Sequence, residues 1–547
     1  MSAEASIYLN GKILTMDDTG ARASAVGVVG EKIVAVGTAD QVRQSLPGGA
    51  REIDLHGKTM IPAFIDPHGH FPDPGFISLF RVNLSSPPLG GCRRLDHVFG
   101  KLRKKAGETP AGEWIMGVSF DHTAMEERRF PTRAELDAVS STHPIWVIHA
   151  SGHSGAANSM ALERQGVTHT SEDPVGGRFL RDTDSGELNG VIEGLSAMGP
   201  LSDTHFLIDE ERFHLGFEAT RKEYLGQGVT FAQNSWAPLD MLRLFAAEAR
   251  RGDPGIDLMI LPTADTEPHL SNGSLDLDWP DNPHIRLGPR KLFSDGAFQM
   301  QTALLSEPYF KPANENYGIC GLPYVEQHVL NAEVKKLHDL GYQIHTHANG
   351  DTGADMFLDA LELALKANPR SDHRHTIIHG QVLREDQLDR MARLGVTVSF
   401  FSAHIYYWGD RHFDTFLGPE RARRISPAKS AAQRGIRFTI HNDAAVTPTR
   451  PLHLVSCAVN RLTASGMVLG EDQKISAEQA LRAHTIDAAW QVFLEHERGS
   501  IEPGKLAEFA VLSGDPIADP DGIAEMYVEE TIRRGKTVYT AELCTAI

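Results

Sequence analysis

Residues 61–70 read Ile61-Pro62-Ala63-Phe64-Ile65-Asp66-Pro67-His68-Gly69-His70, an apolar run that stops in polar, ligand-type residues. Alternate residues of an extended strand face the same side. His68 and His70 therefore aim both imidazoles into one space. Imidazole binds zinc and similar divalent metals. A His-x-His pair also occurs on ordinary surfaces, so the pair alone decides little. Its weight comes from the later strands that end in the same way.

Those strands follow a repeated phrase: helix, glycine, apolar strand, polar end. One copy is 330–340, Gly341, then Tyr342-Gln343-Ile344-His345-Thr346-His347 and Ala348-Asn349-Gly350-Asp351. Another is 388–394, Gly395 and 396–401, with His404 beyond. A third is 431–434, Gly435 and 436–440, ending in His441-Asn442-Asp443. Leu330, Val334 and Leu337 show the spacing of an amphipathic helix, and a glycine after each helix suits the left-handed cap. Alternating helices and strands indicate a parallel sheet. Candidate strands fall near 61–66, 229–234, 256–262, 290–294, 342–347, 374–378, 396–401 and 436–440. This α/β pattern predicts a (β/α)8 TIM barrel, whose active site sits at the C-terminal strand ends. The residues at those ends are His68, His70, Lys291, His347, His379 and Asp443. They are expected to converge on one metal centre.

The chain has 547 residues, enough for a barrel of about 250 residues with additions. Its formal charge of −19 argues against nucleic acid, which is bound through Lys and Arg clusters. Cys92, Cys320, Cys457 and Cys544 are too scattered for a disulfide framework or a CxxC metal site. Residues 1–16 contain Asn10-Gly11-Lys12 and no apolar signal core. No run of about 18 apolar residues spans a membrane. A cytoplasmic protein is expected, with no membrane partner; a homo-oligomer is compatible with the sequence.

Both ends read as short strands and turns. Asn10-Gly11, Gly30-Glu31 and His56-Gly57 interrupt β-type runs in 6–62, and 499–541 returns to the same style. A small β-sandwich built from 1–62 and 497–547 is expected, with the barrel in 63–496. The gap of about 160 residues between the first two barrel strands far exceeds an ordinary connection. It predicts an inserted subdomain at about 75–215.

In these phrases the chain resembles the amidohydrolase superfamily, in its amidohydrolase-3 branch of YtcJ-like and N-substituted formamide deformylase-like proteins. The family phrase PGFIDxHxH matches 61–70, with Ala63 in place of glycine. GHxxxxNSxAL matches Gly152-His153-Ser154-Gly155-Ala156-Ala157-Asn158-Ser159-Met160-Ala161-Leu162. The fourth-strand lysine phrase matches Lys291 with Asp295-Gly296 and Thr302-Ala303, and HAxGD matches 347–351. GSIxPGKxAD is nearly intact from Gly499 to Glu508. The chain departs from the family at His441-Asn442-Asp443-Ala444-Ala445, where Gly-Ser-Asp-x-Pro is usual, and at Ile378 and Gln301. These positions bear on the substrate rather than on the ligand set.

The resemblance implies a metal-dependent hydrolase of a non-peptide C–N bond, with a small amide as substrate. An N-substituted formamide or a cyclic amide would fit. It implies a divalent metal, zinc by expectation, with one or two ions per chain. His68, His70 and Asp443 would hold one ion, and His347 and His379 a second. Lys291 would bridge them as a carbamate, and Asp443 would move the proton. An aminohydrolase (deaminase) or an esterase could use the same centre, although such deaminases typically lack the bridging lysine. A barrel scaffold without catalysis is the reading from another class. His153 is implied to contact the substrate. His404 and Trp408 are candidates for the pocket wall or for packing. His345 is an alternative ligand or a packed strand residue. His373 and His375 are expected on the barrel's outer lower side, and Asp295 and Asp351 in structural turns.

Overall fold

Continuous apolar strands need cover on both faces, and here they pair in parallel. The computed structural model describes residues 4–174, 177–202, 208–271, 279–312 and 319–541; Cys544 lies outside them. One parallel sheet contains Phe64–Ile65, Val229–Ala237, Asp257–Pro262 and Ile285–Leu287 as successive neighbours. A second contains Arg290–Phe293, Ile344–Ala348, Thr376–His379, Thr397–Phe400 and Phe438–Ile440, again in chain order. Helices such as Glu210–Gly226, Gln327–Asp339, Asp351–Ala367 and Glu385–Leu394 alternate with these strands. Gly395 (φ 73°) ends the last of them in the left-handed conformation expected of a cap glycine.

The expected fourth strand is split. Ile285–Leu287 joins the first sheet and Arg290–Phe293 the second, with Gly288-Pro289 between them. Proline has no N–H for a ladder, and a side chain at 288 would strike Met259. A parallel bridge between Thr263 and Lys291 connects the two arcs. Opposite it, His70 N donates to Ala444 O at 2.5 Å. The two sheets thus bring the first and eighth expected strands together, although their described ladders do not merge into one.

Both termini build a single eight-stranded sheet. Thr59–Pro62 pairs antiparallel with Phe509–Leu512, which continues into Val528–Arg533 and Lys536–Thr540. The hairpin expected at Asn10-Gly11 does not form. Ala5–Leu14 is one strand with a register shift between Leu9 and Ile13. Asn10 takes φ 56°, and Gly11 leaves space that Leu55 fills. The asparagine–glycine pair here makes a bulge rather than a turn. The Gly30-Glu31 hairpin does form, between Arg22–Val29 and Lys32–Gly37. Inside the expected insert, strands from Val82–Asn83 to Leu188–Glu193 form a six-stranded sheet with its own apolar clusters.

His373 and His375 are buried, not on the outer surface. Ile344 N donates to His375 Nδ1, and His375 N donates to His373 Nδ1. The remaining nitrogens reach His338, and through it Asn368 O, or Leu394 O directly. Every ring nitrogen has a partner, which is why burial is tolerated. Among the described residues, no helix is long and apolar enough to cross a membrane.

A buried ion network ties the terminal sheet to the parallel core. Asp257, on a core strand, meets Arg498, Arg533 at 2.6 Å and Arg534 at 3.0 Å. Burial opposes ionisation of Asp257, but these arginines and His284 outweigh it and hold its carboxyl well below the usual range. A depressed carboxyl pKa gives stability that is present above the unfolded value, about 3.9, and lost as pH falls below it. Asp257→Asn is expected to cost about 3–5 kcal/mol, since it leaves buried guanidinium charge uncompensated. Thermal melting should show a large loss at pH 7 that narrows toward pH 3. A loss that stays constant over that range would exclude the charge network as its source.

Candidate metal centre

His68, His379 and Asp443 place ligand atoms within 4.8 Å of one another. The other expected residues join this group by direct contacts. His70 Nε2 is 3.2 Å and His68 Nε2 3.4 Å from Asp443 Oδ1. Lys291 Nζ is 3.5 Å from His68 Nε2. His347 Nδ1 is 3.0 Å from His379 Nε2. All six lie at or just beyond strands of the two parallel sheets. Two of them adopt left-handed backbone, His379 at φ 77° and Asp443 at φ 50°. Such conformations cost energy outside glycine and gather at functional sites.

Burial sets the charge of the group. It drives His68 and His379 well below the ordinary histidine range, and neighbouring Lys291 and histidines add to the effect. His347 falls to about 3 for the same reasons. These rings are neutral, the form that binds metal. Burial lowers Lys291 to about 7 against the pull of Asp443. Burial also resists ionisation of Asp443, but His70, His441 and Lys291 prevail and its carboxyl drops to about 2. Asp443 Oδ1 and His68 Nδ1 are buried without a hydrogen-bond partner among the described residues. An anionic oxygen facing the neutral His68 imidazole is a donor set that suits a divalent cation.

The pocket residues separate. His153 comes from the insert and sets its ring 6.0 Å from that of His347. His404 is buried, and both nitrogens are engaged inside the protein, with Gln299 at 3.3 Å and His412 at 3.0 Å. Trp408 stacks near His404 at 4.5 Å and lines a cleft with the 85–89 segment, Tyr407 and Arg411. His345 is buried next to Lys291 in the ladder, outside the ligand-spaced trio. Asp295 accepts from the backbone N–H groups of Leu304, Asn349 and Gly350, which fixes the loop after His347. Asp351 accepts from Ser306 and Arg384.

Sequence reasoning gave no role to His441. Its Nε2 lies 3.1 Å from His379 Nδ1, and its Nδ1 lies 2.8 Å from Ser399 Oγ. It therefore braces a candidate ligand from beyond the next strand but one, with Ser399 of the strand between them behind it. The signal was present, because His441 stands two residues before Asp443, where the resembled family phrase has glycine.

The amidohydrolase family model matches residues 51–539. The chain belongs to that family. It is accordingly an enzyme that hydrolyses carbon–nitrogen bonds. It is 28% identical to the N-substituted formamide deformylase of Arthrobacter pascens, over 97% of this chain and 98% of the relative. Its structure resembles an uncharacterized metal-dependent hydrolase from Pyrococcus horikoshii OT3, with TM-score 0.75, 24% identity, and 98% of this chain and 100% of that one covered. It also resembles an adenosine deaminase from Xanthomonas campestris with bound zinc, with TM-score 0.54, 14% identity, and 98% and 92% covered. At these identities the two solved structures speak for the fold.

Proposed function

We propose that the protein hydrolyses a small non-peptide amide, such as an N-substituted formamide or cyclic amide, at a zinc centre held by His68, His70, His347, His379, Asp443 and a carboxylated Lys291. The observation that carries this reading is the buried, neutral imidazoles of His68 and His379 beside Asp443, with Lys291 3.5 Å from His68. The metal, when bound, supplies an acidified water and a polarised carbonyl. Asp443 accepts a proton on the oxygen that faces His68 and His70, and returns it to the leaving nitrogen. His441 and Ser399 hold His379 in orientation. His153 and Trp408 border the substrate, and His404 backs Trp408. The uncharged Lys291 amine reacts with CO2 to give a carbamate and a proton. That removes a cation from the ligand cluster and replaces it with an anion. The bridging lysine also favours amide hydrolysis over the one-metal deaminase chemistry.

In the same reading, the two parallel arcs close into the (β/α)8 barrel and the terminal sheet curls into a small sandwich beside it. The protein works in the cytoplasm, with no nucleic-acid or membrane partner, and a homo-oligomer is compatible with this.

Purified protein with one or two equivalents of zinc is expected to release amine and acid from members of an amide panel. Chelation should abolish turnover and zinc should restore it. A fully metal-loaded protein that spares every amide but deaminates a heterocycle would overturn the proposal.

A further inference from the structure

A second cavity adjoins the metal centre and holds a charge that the mechanism does not use. It is bounded by His70, Asp73, Phe76, Arg81, Trp236 and Met241, among others. Helix Asp73–Phe80 starts just after His70, and Arg81 follows its last turn. The Arg81 side chain runs back along the helix, with Nη1 3.6 Å from Asp73 Oδ1 and the guanidinium 5.6 Å from the Phe76 ring. It returns to the turn that carries His70.

This side chain is only 7% exposed. Among the described residues its guanidinium makes no hydrogen bond, since Asp73 lies beyond bonding distance and is itself 37% exposed. Burial pushes its pKa down from the ordinary value. Its one ion partner among the described residues is Asp73 at 3.6 Å, which leaves the rest of its fork of donors free for a ligand. The contrast is Arg411 in the neighbouring cleft, which is paired with Asp121 at 2.7 Å. The planar fork of donors on Arg81 matches a carboxylate. Nearby Asp73 disfavours a dianion, so a singly charged group fits better than a phosphate. Phe76, Trp236 and Met241 supply apolar wall to the cavity that this anchor shares with His70.

We propose that Arg81 anchors a carboxylate on the substrate, so that the preferred substrate is an amide whose far end carries a carboxylic acid. This rests on the amide-hydrolase reading above. Arg81 is a positioning residue, and its loss should appear in KM rather than kcat.

The test compares N-formylphenylalanine, in both enantiomers, with N-formylphenethylamine, which lacks only the carboxylate. The zinc enzyme should prefer one enantiomer of the acid by at least about tenfold in kcat/KM. Arg81→Gln should raise KM for the acid about 10- to 100-fold, as expected for a charged hydrogen bond. Its kcat should stay within a few-fold, and the neutral amide should be unaffected. Arg81→Lys should recover part of the loss. Equal use of both compounds by the native enzyme, or equal losses on both in Arg81→Gln, would overturn the anchor and leave the amide-hydrolase reading standing. If neither compound is turned over, calorimetric binding of the acid decides. Binding that needs Arg81 supports the anchor although the reaction assigned here fails; no such binding overturns the anchor.

Discussion

Lys291→Ala is expected to lower both bound metal and turnover by at least about 10²-fold, the upper range for lost support of a metal site. The lysine is 2% exposed, on the fourth expected strand beside the fifth, with Nζ 3.5 Å from His68. Burial brings its pKa to about 7, so much of it is the free amine near neutral pH. Only that form attacks CO2. Alanine removes both the amine and the anion it can become, leaving a gap beside His68. A short carboxylic acid fits such a gap and offers two oxygens where the carbamate offered two. Acetate or propionate should therefore restore part of the metal content and part of kcat. Metal analysis separates this from a folding defect, because a misfolded variant would not be rescued by a small acid. A variant that keeps its metals and its turnover would remove Lys291 from the centre. A native enzyme fully active with one ion would leave the histidine site in place and remove the bridge.

The legible parts of this chain were those where periodicity and chemistry coincide. Helix, glycine and strand recur with a polar terminus, and that pattern brought His347 and Asp443 to one end of the sheets, with His379 read as the polar end of its own strand. The meeting of the two termini was also readable, because both ends carry turn residues between short β-type runs. What failed depended on neighbours distant in sequence. Asn10-Gly11 has the local character of a hairpin, but Leu55 packs against Gly11 and the strand runs on through a bulge. The His373 and His375 pair looked exposed because it precedes a strand at the polar end of a loop. In the fold, His338, the backbone of Ile344 and Leu394, and His375's own N–H satisfy both rings. Arg81 belongs to the same class. Nothing in its sequence neighbourhood distinguishes it from a surface arginine at the end of a helix. Only its return to Asp73 and its lack of hydrogen-bond partners mark it.

Asp443→Asn is expected to reduce kcat by about 10²–10⁴-fold, the usual worth of general acid–base help. The substitution preserves shape, and its backbone position favours a clean result. At φ 50° most side chains are strained, but aspartate and asparagine are the residues that best tolerate this region. The loop after Phe438–Ile440 should therefore hold its course. What changes is the oxygen facing His68 and His70 at 3.4 and 3.2 Å. A carboxamide carries no charge to offset the cation and cannot take and return a proton. In the proposed reading the substrate is bordered mainly by His153 of the insert and Trp408 after Thr397–Phe400, so KM should move much less than kcat. Metal content must be measured alongside, because loss of one ligand also weakens binding of the ion. If the variant keeps its metals and turns over at near-native rate, Asp443 is not the proton carrier. The structure then ranks the replacements. His404 has both nitrogens engaged, by Gln299 and His412. His153, approaching His347 from the insert and brought by burial to about 4, becomes the residue to test.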